Sequence, residues 1–383
     1  MPRRSPAVVI APDSFKGSLS AAAATTAIAE GLRRVWPEAD LRPCPMADGG
    51  EGTLDVLLAR GGRRLTERVS GASGESIDAA YGLIDDPETA VLEVARVVGL
   101  SDPSVVAVDV GHRTTLGVGE LIRHRLDAGA RRLMIGLGGS STNDGGAGLL
   151  AALGVKLTDA HGRAIAATPE GLVALAAVDA SGLDPRLGET HITVMSDVDN
   201  PLTGERGATA IFGPQKGVPR ERVAEFDRRI ANFAALIEHA LGRRAQDKPG
   251  AGAAGGLGFA LQLIGGQIRS GAEVVADLTG LDAALTGADW AITGEGSSDA
   301  QTALGKTPLI VGRRAEAQGV PATLISGSIE RTALLELGRH FAGCFSLPFG
   351  PATLEDCVAE AASLLADRAE QVARLFDAAH GLR

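Results

Sequence analysis

In APDSFKGSLS, Ala11 to Ser20, an acid, a lysine and three serines follow directly on the apolar run AVVI. A strand that releases its chain into such a loop presents it where open α/β sheets bind ligands, at the carboxyl ends of the strands. Lys16 can neutralise phosphate there, Asp13 can hold a metal ion or a proton, and Ser14 adds a hydroxyl between them. A solvated loop ending in a helix cap at Ser18 or Ser20 is the competing reading. MADGGEGT, Met46 to Thr53, sets Asp48 and Glu51 around Gly49 and Gly50. Two carboxylates beside a tight backbone suit Mg²⁺, which takes a few carboxylates and completes its shell with water and phosphate oxygens. An acidic turn would look the same.

GLGGSSTNDGGAG, Gly136 to Gly148, follows the apolar RRLMI. Its small residues, Gly138, Gly139, Ser140, Ser141, Thr142 and Asn143, let an anion approach the backbone closely, and Asp144 adds a carboxylate expected here as a further metal ligand. After HITVM, the segment SDVDNPLTG brings Asp197, Asp199 and Asn200 to a strand end, as candidates for a base or for substrate contacts. A turn built on Asp-Asn-Pro competes with that reading.

The elements that must hold these loops alternate between strand and helix. AVVIAP leads into the alanine-rich SLSAAAATTAIAEGLRRVW, and ADLRPCPMADGGEGTLDVLLAR repeats strand, glycine loop and helix. Toward the end of the chain, DWAITGEG and VPATLISGS read as strands around the helix PLIVGRRAEAQG. A strand near GCFSLPF then precedes the amphipathic LEDCVAEAASLLADRAEQVARLF. The expected fold is therefore α/β with two α/β domains. One is a doubly wound, flavodoxin-like domain built from both chain ends, residues 1–70 and 286–383, and the other is a second α/β domain inserted at 71–285. The active site is expected in the cleft between them.

Two glycine patterns need context. AQTALGKT, Ala300 to Thr307, fits a relaxed Walker A pattern, but a P-loop starts directly after a strand, and here GEGSSD intervenes. GAGAAG, Gly250 to Gly255, spells a dinucleotide fingerprint yet follows AQDKP, which is no strand. Neither is expected to bind a nucleotide in the manner its pattern suggests.

The chain has 383 residues, enough for two domains, with 45% hydrophobic and 22% charged residues. Aromatics make up only 3% against 51 glycines, so the cores must be aliphatic and many backbone positions are kept bare. A net charge of −10 argues against nucleic acid as the main partner. The apolar run in MPRRSPAVVIAPD is too short for a signal peptide, and no stretch approaches a membrane helix. Three cysteines without metal spacing fit a reduced, cytoplasmic protein.

Taken in order, APDSFKGSLSA, PMADGGEGT, GLGGSSTNDGGAG, SDVDNPLTG, FGPQKG and TGEG..D.QT..GK.P resemble the bacterial glycerate kinase family of the non-P-loop kind, type I. The resemblance runs over nearly the whole chain. It implies ATP- and Mg²⁺-dependent phosphorylation of D-glycerate, with 2-phosphoglycerate favoured as product. It also implies that Gly294, Glu295, Gln301, Thr302 and Lys306 belong to the substrate and nucleotide site. In the expected scheme Lys16 meets phosphate, Asp48 or Glu51 holds Mg²⁺, and Asp197 accepts the hydroxyl proton. Where the family reads Glu-Gly-Arg-aliphatic-Asp, this chain has Glu295, Gly296, Ser297, Ser298 and Asp299. A serine cannot replace the bidentate grip of a guanidinium, so a weakened sugar-acid or nucleotide-binding protein, or a kinase for another small hydroxy acid, stays open beside the main expectation. GLGGSST also resembles the GLGSSA loop of the GHMP sugar kinases, whose other motifs are not matched. A homodimer is compatible with all of these readings.

Overall fold

The computed structural model describes residues 5–84, 89–299, 302 and 305–381. Among these, contacts divide the chain into two compact units. The first comprises the chain up to Asp48, Asp55–Arg60, and the chain from Ala272 on; the second comprises Gly49–Leu54 and Gly61–Gly271. The division places Arg63–Ser70 with the second unit, ahead of the expected start at 71. It places Ala272–Leu285 with the first, ahead of the expected 286.

The first unit is built on a parallel sheet of five strands, Asp40–Pro43, Ala7–Ile10, Trp290–Thr293, Ala322–Ser326 and Gly343–Ser346, in that spatial order. Numbered along the chain this is 2-1-3-4-5, the flavodoxin-like order. The inner strands are apolar throughout, AVVI, WAIT and ATLIS, because a parallel sheet is covered on both faces. Register pairs Val9 with Ala291 and Ile292 with Thr323, so the strand ends of this unit that carry predicted motifs lie along one edge of the sheet.

Helix Ala21–Arg33 starts at Ser20, whose hydroxyl accepts from the Ala23 amide at 3.2 Å. Its alanines bury against the sheet core of Val8, Ile10, Trp290 and Ile292. Trp290 stacks on Phe376 with centroids 4.8 Å apart and donates its indole N–H to Thr323 Oγ1 at 2.9 Å. The C-terminal amphipathic segment forms two helices, Leu354–Ala359 and Ala361–Gly381, where the sequence pattern reads as one.

The second unit holds a mixed sheet of six strands among the described residues, in the order Gln267–Arg269, His191–Met195, Arg132–Gly136, Thr89–Glu93, Ser76–Ile84 and Arg63–Ser70. The first four run parallel and the last two are antiparallel. Its core is aliphatic, with Leu92, Leu121, Ile135, Leu149 and Val194 buried around the edge-on pair Phe233 and Phe259. No helix among the described residues is long and apolar enough to cross a membrane.

The alanine-rich first helix crosses the last helix at close range. A Cβ at Gly31 would lie 2.0 Å from the carbonyl oxygen of Ala366 and 3.0 Å from Ala369 Cβ. Alanine is the better helix former by about 1 kcal/mol. Backbone cannot yield as a flexible side chain can, so the clash outweighs that gain. Gly31→Ala should lower stability by about 1–3 kcal/mol, the usual cost of overpacking. Urea unfolding followed by tryptophan emission tests this, and an unchanged or higher midpoint would refute it.

Candidate active site

The first unit gathers its predicted residues along the carboxyl ends of Ala7–Ile10, Trp290–Thr293 and Ala322–Ser326. Ladder-like bonds continue beyond the strands, from the Ala11 amide to Ile292 O at 2.8 Å and from the Asp13 amide to Gly294 O at 2.9 Å. The Asp13 carboxylate is thereby drawn under the loop. It accepts from the Ser14 amide at 2.6 Å and from Thr307 Oγ1 at 2.8 Å. Burial, reinforced by the negative charge of Asp48, pushes its carboxyl up to about 7. Such a group sits near the midpoint of its titration at neutral pH.

Lys16 projects from the same loop and is largely exposed, with Nζ 3.4 Å from Asp48 Oδ2. The Asp48 charge raises its pKa further, so it is a fixed cation. Glu295 is half-buried, and burial pushes its carboxyl upward. Its Oε1 accepts from Thr302 Oγ1 at 2.6 Å and from Ser298 Oγ at 2.8 Å. Lys306 precedes the helix Thr307–Ala317 and pairs with Asp299 at 3.3 Å. The sheet strand Trp290–Thr293 ends well short of Lys306, and what directly precedes the Walker-like segment is the two-residue strand Ser297–Ser298, paired with Ser328–Ile329 outside the main sheet. Gln301 lies outside the described residues.

The two serines in place of the family's Arg-aliphatic pair have separate surroundings. Ser298 is fully buried, and its hydroxyl bridges Glu295 and Ser326 Oγ, the latter at 2.7 Å. Ser297 is exposed and accepts from Ser328 Oγ at 3.0 Å. Asp13, Ser14, Lys16, Asp48, Glu295 and Lys306 all line one cavity of about 730 Å³ within this unit. Ser297 and Thr307 complete its polar wall.

The second unit treats its motif loops differently. Gly49 and Gly50 lie against Gly136–Gly138: the Gly138 amide donates to Gly49 O at 3.3 Å, and a Cβ at Gly138 would stand 2.4 Å from Gly50 Cα. Gly139, with φ of 75°, is exposed, but the chain then turns inward. The Ser141 amide and hydroxyl both donate to Val98 O, at 2.8 and 2.9 Å. Asn143 Nδ2 donates to Thr209 Oγ1 at 3.0 Å, and Thr142 is buried beside it.

Asp144 is fully buried, with its oxygens accepting from the amides of Thr115, Gly146 and Gly148 and from the Thr115 hydroxyl. Burial pushes its carboxyl up while those donors pull against it. Three of the four donors fall on Oδ2 and one, the Gly146 amide, on Oδ1, so Asp144, expected as a metal ligand, braces the loop from inside. Ser140, Ser141, Thr142 and Asn143, expected as ligand contacts, are all buried, and Thr142 Oγ1 and Asn143 Oδ1 have no hydrogen-bond partner among the described residues.

Glu51 is exposed in the second unit. Asp197 is exposed after His191–Met195, and its Oδ1 accepts from the Gly271 amide at 3.0 Å. Asp199 pairs loosely with Arg206 at 3.4 Å, and Asn200 donates to Arg206 O at 2.8 Å. Among the described residues no three His, Cys, Asp or Glu side chains converge on a common metal position.

Three residues that matter were missed. Thr307 orients Asp13, and its only signal is its place after Gly-Lys. Lys216, inside the quoted FGPQKG, is fully buried and donates to Ser140 Oγ at 2.9 Å and Thr142 O at 2.8 Å. Arg113, buried with no sequence signal, donates to the carbonyls of Ser141, Lys216, Val108 and Val106.

The model of the Glycerate kinase family matches residues 8–377. A protein named Glycerate kinase from Bacillus subtilis (strain 168) is 44% identical over 371 residues, covering 96% of each chain. One named Glycerate 2-kinase from Escherichia coli (strain K12) is 43% identical over 324 residues, covering 84% of this chain and 85% of that one. A crystal structure described as glycerate kinase 2 from Salmonella typhimurium LT2 superposes with a TM-score of 0.84 at 44% identity, covering 99% of this chain and all of that one.

Lys216 yields a test of the buried loop. Burial holds its ammonium at about 7, with Arg113 acting in the same direction and Asp144 against it. Between that value and the ordinary lysine range the unfolded chain carries a proton the native state lacks, so stability rises with pH. Lys216→Met removes the titrating group. The stability of the wild type relative to this variant should grow from pH 7 to 9, at no more than about 1.4 kcal/mol per pH unit. Urea unfolding of both proteins by circular dichroism measures it, and a difference that stays flat with pH would exclude the buried titration.

Proposed function

Because the chain belongs to the glycerate kinase family, we propose that it transfers the γ-phosphoryl group of ATP to a hydroxyl of D-glycerate, giving 2-phosphoglycerate in preference to the 3-isomer. The observation that carries the residue-level reading is the cavity at the strand ends of the first unit, where an exposed lysine and two neighbouring carboxylates stand on a rigid parallel sheet. Phosphoryl transfer asks little covalent chemistry of a protein; it requires positioning and neutralisation of phosphate charge. Lys16 supplies the neutralising charge, and Lys306 adds a second cation on the same wall.

The donor set suits Mg²⁺. Burial, and after it the like charge of Asp48, raise the Asp13 carboxyl, and a divalent cation would relieve the conflict between the two carboxylates. Asp48 and Asp13 would hold the ion, with water and phosphate oxygens completing its shell, as Mg²⁺ prefers. When bound it neutralises phosphate charge. Glu295, held by Thr302 and Ser298, stands on the same polar wall. Asp197 is the proposed acceptor of the glycerate hydroxyl proton, its carboxylate oriented by the Gly271 amide. A coupled assay of ADP release with D-glycerate tests the activity, and phosphorus NMR of the product reads the position of transfer. No glycerate-dependent ADP release would overturn the proposal.

Asp197→Asn retains an oxygen to accept from Gly271 but loses the proton affinity. If Asp197 is the base, kcat should fall roughly 10²–10⁴-fold with folding intact. Near-normal turnover would remove it from that role.

Ser297 gives a second test, since it is exposed on the cavity wall and its hydroxyl accepts from Ser328. Ser297→Arg restores a charged fork and should lower KM for ATP or glycerate by an amount equivalent to about 1.5–3 kcal/mol, the worth of a charged hydrogen bond. A change confined to KM means uniform binding, whereas a higher kcat means contact with transition-state charge. Steady-state kinetics with glycerate and a panel of hydroxy acids decides. Impaired glycerate turnover together with preference for another acid would show that the serines tune the loop for that substrate.

A further inference from the structure

The cavity of the first unit has two unlike walls. Lys16, Asp48, Glu295 and Lys306 make one of them polar. Leu347, Pro348, Leu354, Cys357, Val358 and Ala361 make the other, from the turn after the last strand, the short helix Leu354–Ala359 and the start of the helix Ala361–Gly381. Leu354 is 81% exposed and Val358 41%, although both are aliphatic and neighbouring surface residues are charged. Contiguous apolar surface left open on the rim of a cavity marks a binding site.

Glycerate cannot account for that wall. Each of its three carbons carries oxygen, so it has no apolar face to offer. A nucleoside triphosphate is divided as the cavity is, with a flat base at one end and anionic phosphates at the other. The cavity, about 730 Å³, lies in the range of cofactor sites and is far larger than a three-carbon acid requires. We propose that the first unit alone binds the nucleotide, with the adenine ring against Leu354, Val358 and Cys357 and the phosphates directed toward Lys16 and Asp48.

This inference rests on ATP as the phosphoryl donor. It assigns the base to the apolar wall and the phosphates to the polar one without invoking the second unit. The wall offers no side-chain amide, carboxylate or hydroxyl to the base among the six residues named. Its contribution is burial of the ring, and a charge placed there should weaken nucleotide binding without touching glycerate.

Cys357 reports on the wall in the full-length enzyme. Cys44 is buried, and burial pushes the Cys344 thiol up to about 11, so alkylation at pH 8 read by peptide mass follows Cys357 against two slow internal references. ADP at ten times its Kd should slow labelling of Cys357 by about tenfold. Tripolyphosphate, which carries phosphates without a base, and glycerate should leave the rate unchanged. Val358→Glu should raise KM for ATP by about tenfold and change KM for glycerate by less than about twofold. Equal protection by tripolyphosphate, protection by glycerate alone, or no protection by ADP overturns the assignment. So does a Val358→Glu variant whose KM for glycerate rises as much as that for ATP. Turnover of ATP with glycerate, measured on the same preparation, separates the two levels. An enzyme that turns over but is unprotected loses the base site alone, and one with no turnover loses the kinase reading with it.

Discussion

A Cβ at Gly294 would stand 1.9 Å from the carbonyl oxygen of Ile325, and one at Gly327 would stand 2.3 Å from Gly296 O. In the second unit, Gly255 and Gly138 press in the same way on Thr142 O and Gly50 Cα, at 2.0 and 2.4 Å. Real Cβ atoms do not approach backbone so closely, so these loops exist in their present form only as glycine. The contact lets loops leaving adjacent strands run side by side beyond the sheet. The Gly327 amide reaches Glu295 O at 3.0 Å, and the Asp13 amide reaches Gly294 O at 2.9 Å. Pairing therefore continues past the strands, and residues so far from a sheet's middle would otherwise be loop residues with loop mobility. The candidate site gains rigid supports for Asp13 and Glu295 from this, which positioning chemistry needs.

The same constraint explains what could be read from the sequence. Strand-glycine-helix punctuation is written locally, so AVVI, RRLMI, HITVM and WAIT and the loops after them were legible as strand ends carrying chemistry. The lateral order of strands is not local. Arg63–Ser70 has mostly charged and polar residues with an alternating exposed pattern, and nothing in RRLTERVS says that it pairs with Ser76–Ile84. The break at Glu360 in the last amphipathic stretch was illegible for a similar reason, since both halves keep helical periodicity.

Within the loops, sequence identified residue types but not the direction in which they face. APDSFKGS and GLGGSSTNDGG look equally fit to hold an anion. Lys16 is exposed beside Asp48, whereas Lys216 is sealed under Ser140 and Thr142 with no carboxylate bonded to it. Arg113 and Asp144 are interior in the same way, Arg113 bonded to backbone carbonyls and Asp144 to backbone amides and the Thr115 hydroxyl. Polar groups buried at this density are costly unless every partner is in place. Their effect is to fix a loop that has few apolar side chains with which to fix itself. A motif can thus hold charged residues that brace it from inside, while Thr142 Oγ1 and Asn143 Oδ1 in the same loop are buried without a hydrogen-bond partner among the described residues.

The distinction between interior and exposed residues bears on the missing arginine. The pair that departs from the family pattern divides between the two classes: Ser298 is interior and joins Glu295 to Ser326, while Ser297 stands on the cavity wall. Ser298 replaces an aliphatic residue, and its hydroxyl is stable in the interior only because Glu295 accepts from it and Ser326 lies within reach. The substitution therefore strengthens the hold on Glu295 on the inner side of the loop. Ser297 lies where a long cationic side chain would enter the cavity, and the space it leaves belongs to ligand or solvent. Loss of a guanidinium there removes charge from the site without removing support from the loop. The polar wall then depends on Lys16 and Lys306 for positive charge, and both already face carboxylates, Asp48 and Asp299. An anionic ligand must compete with those carboxylates for its cations. A divalent ion arriving with the phosphates would relieve that competition, because Asp48 would hold it and Lys16 would be left to the ligand.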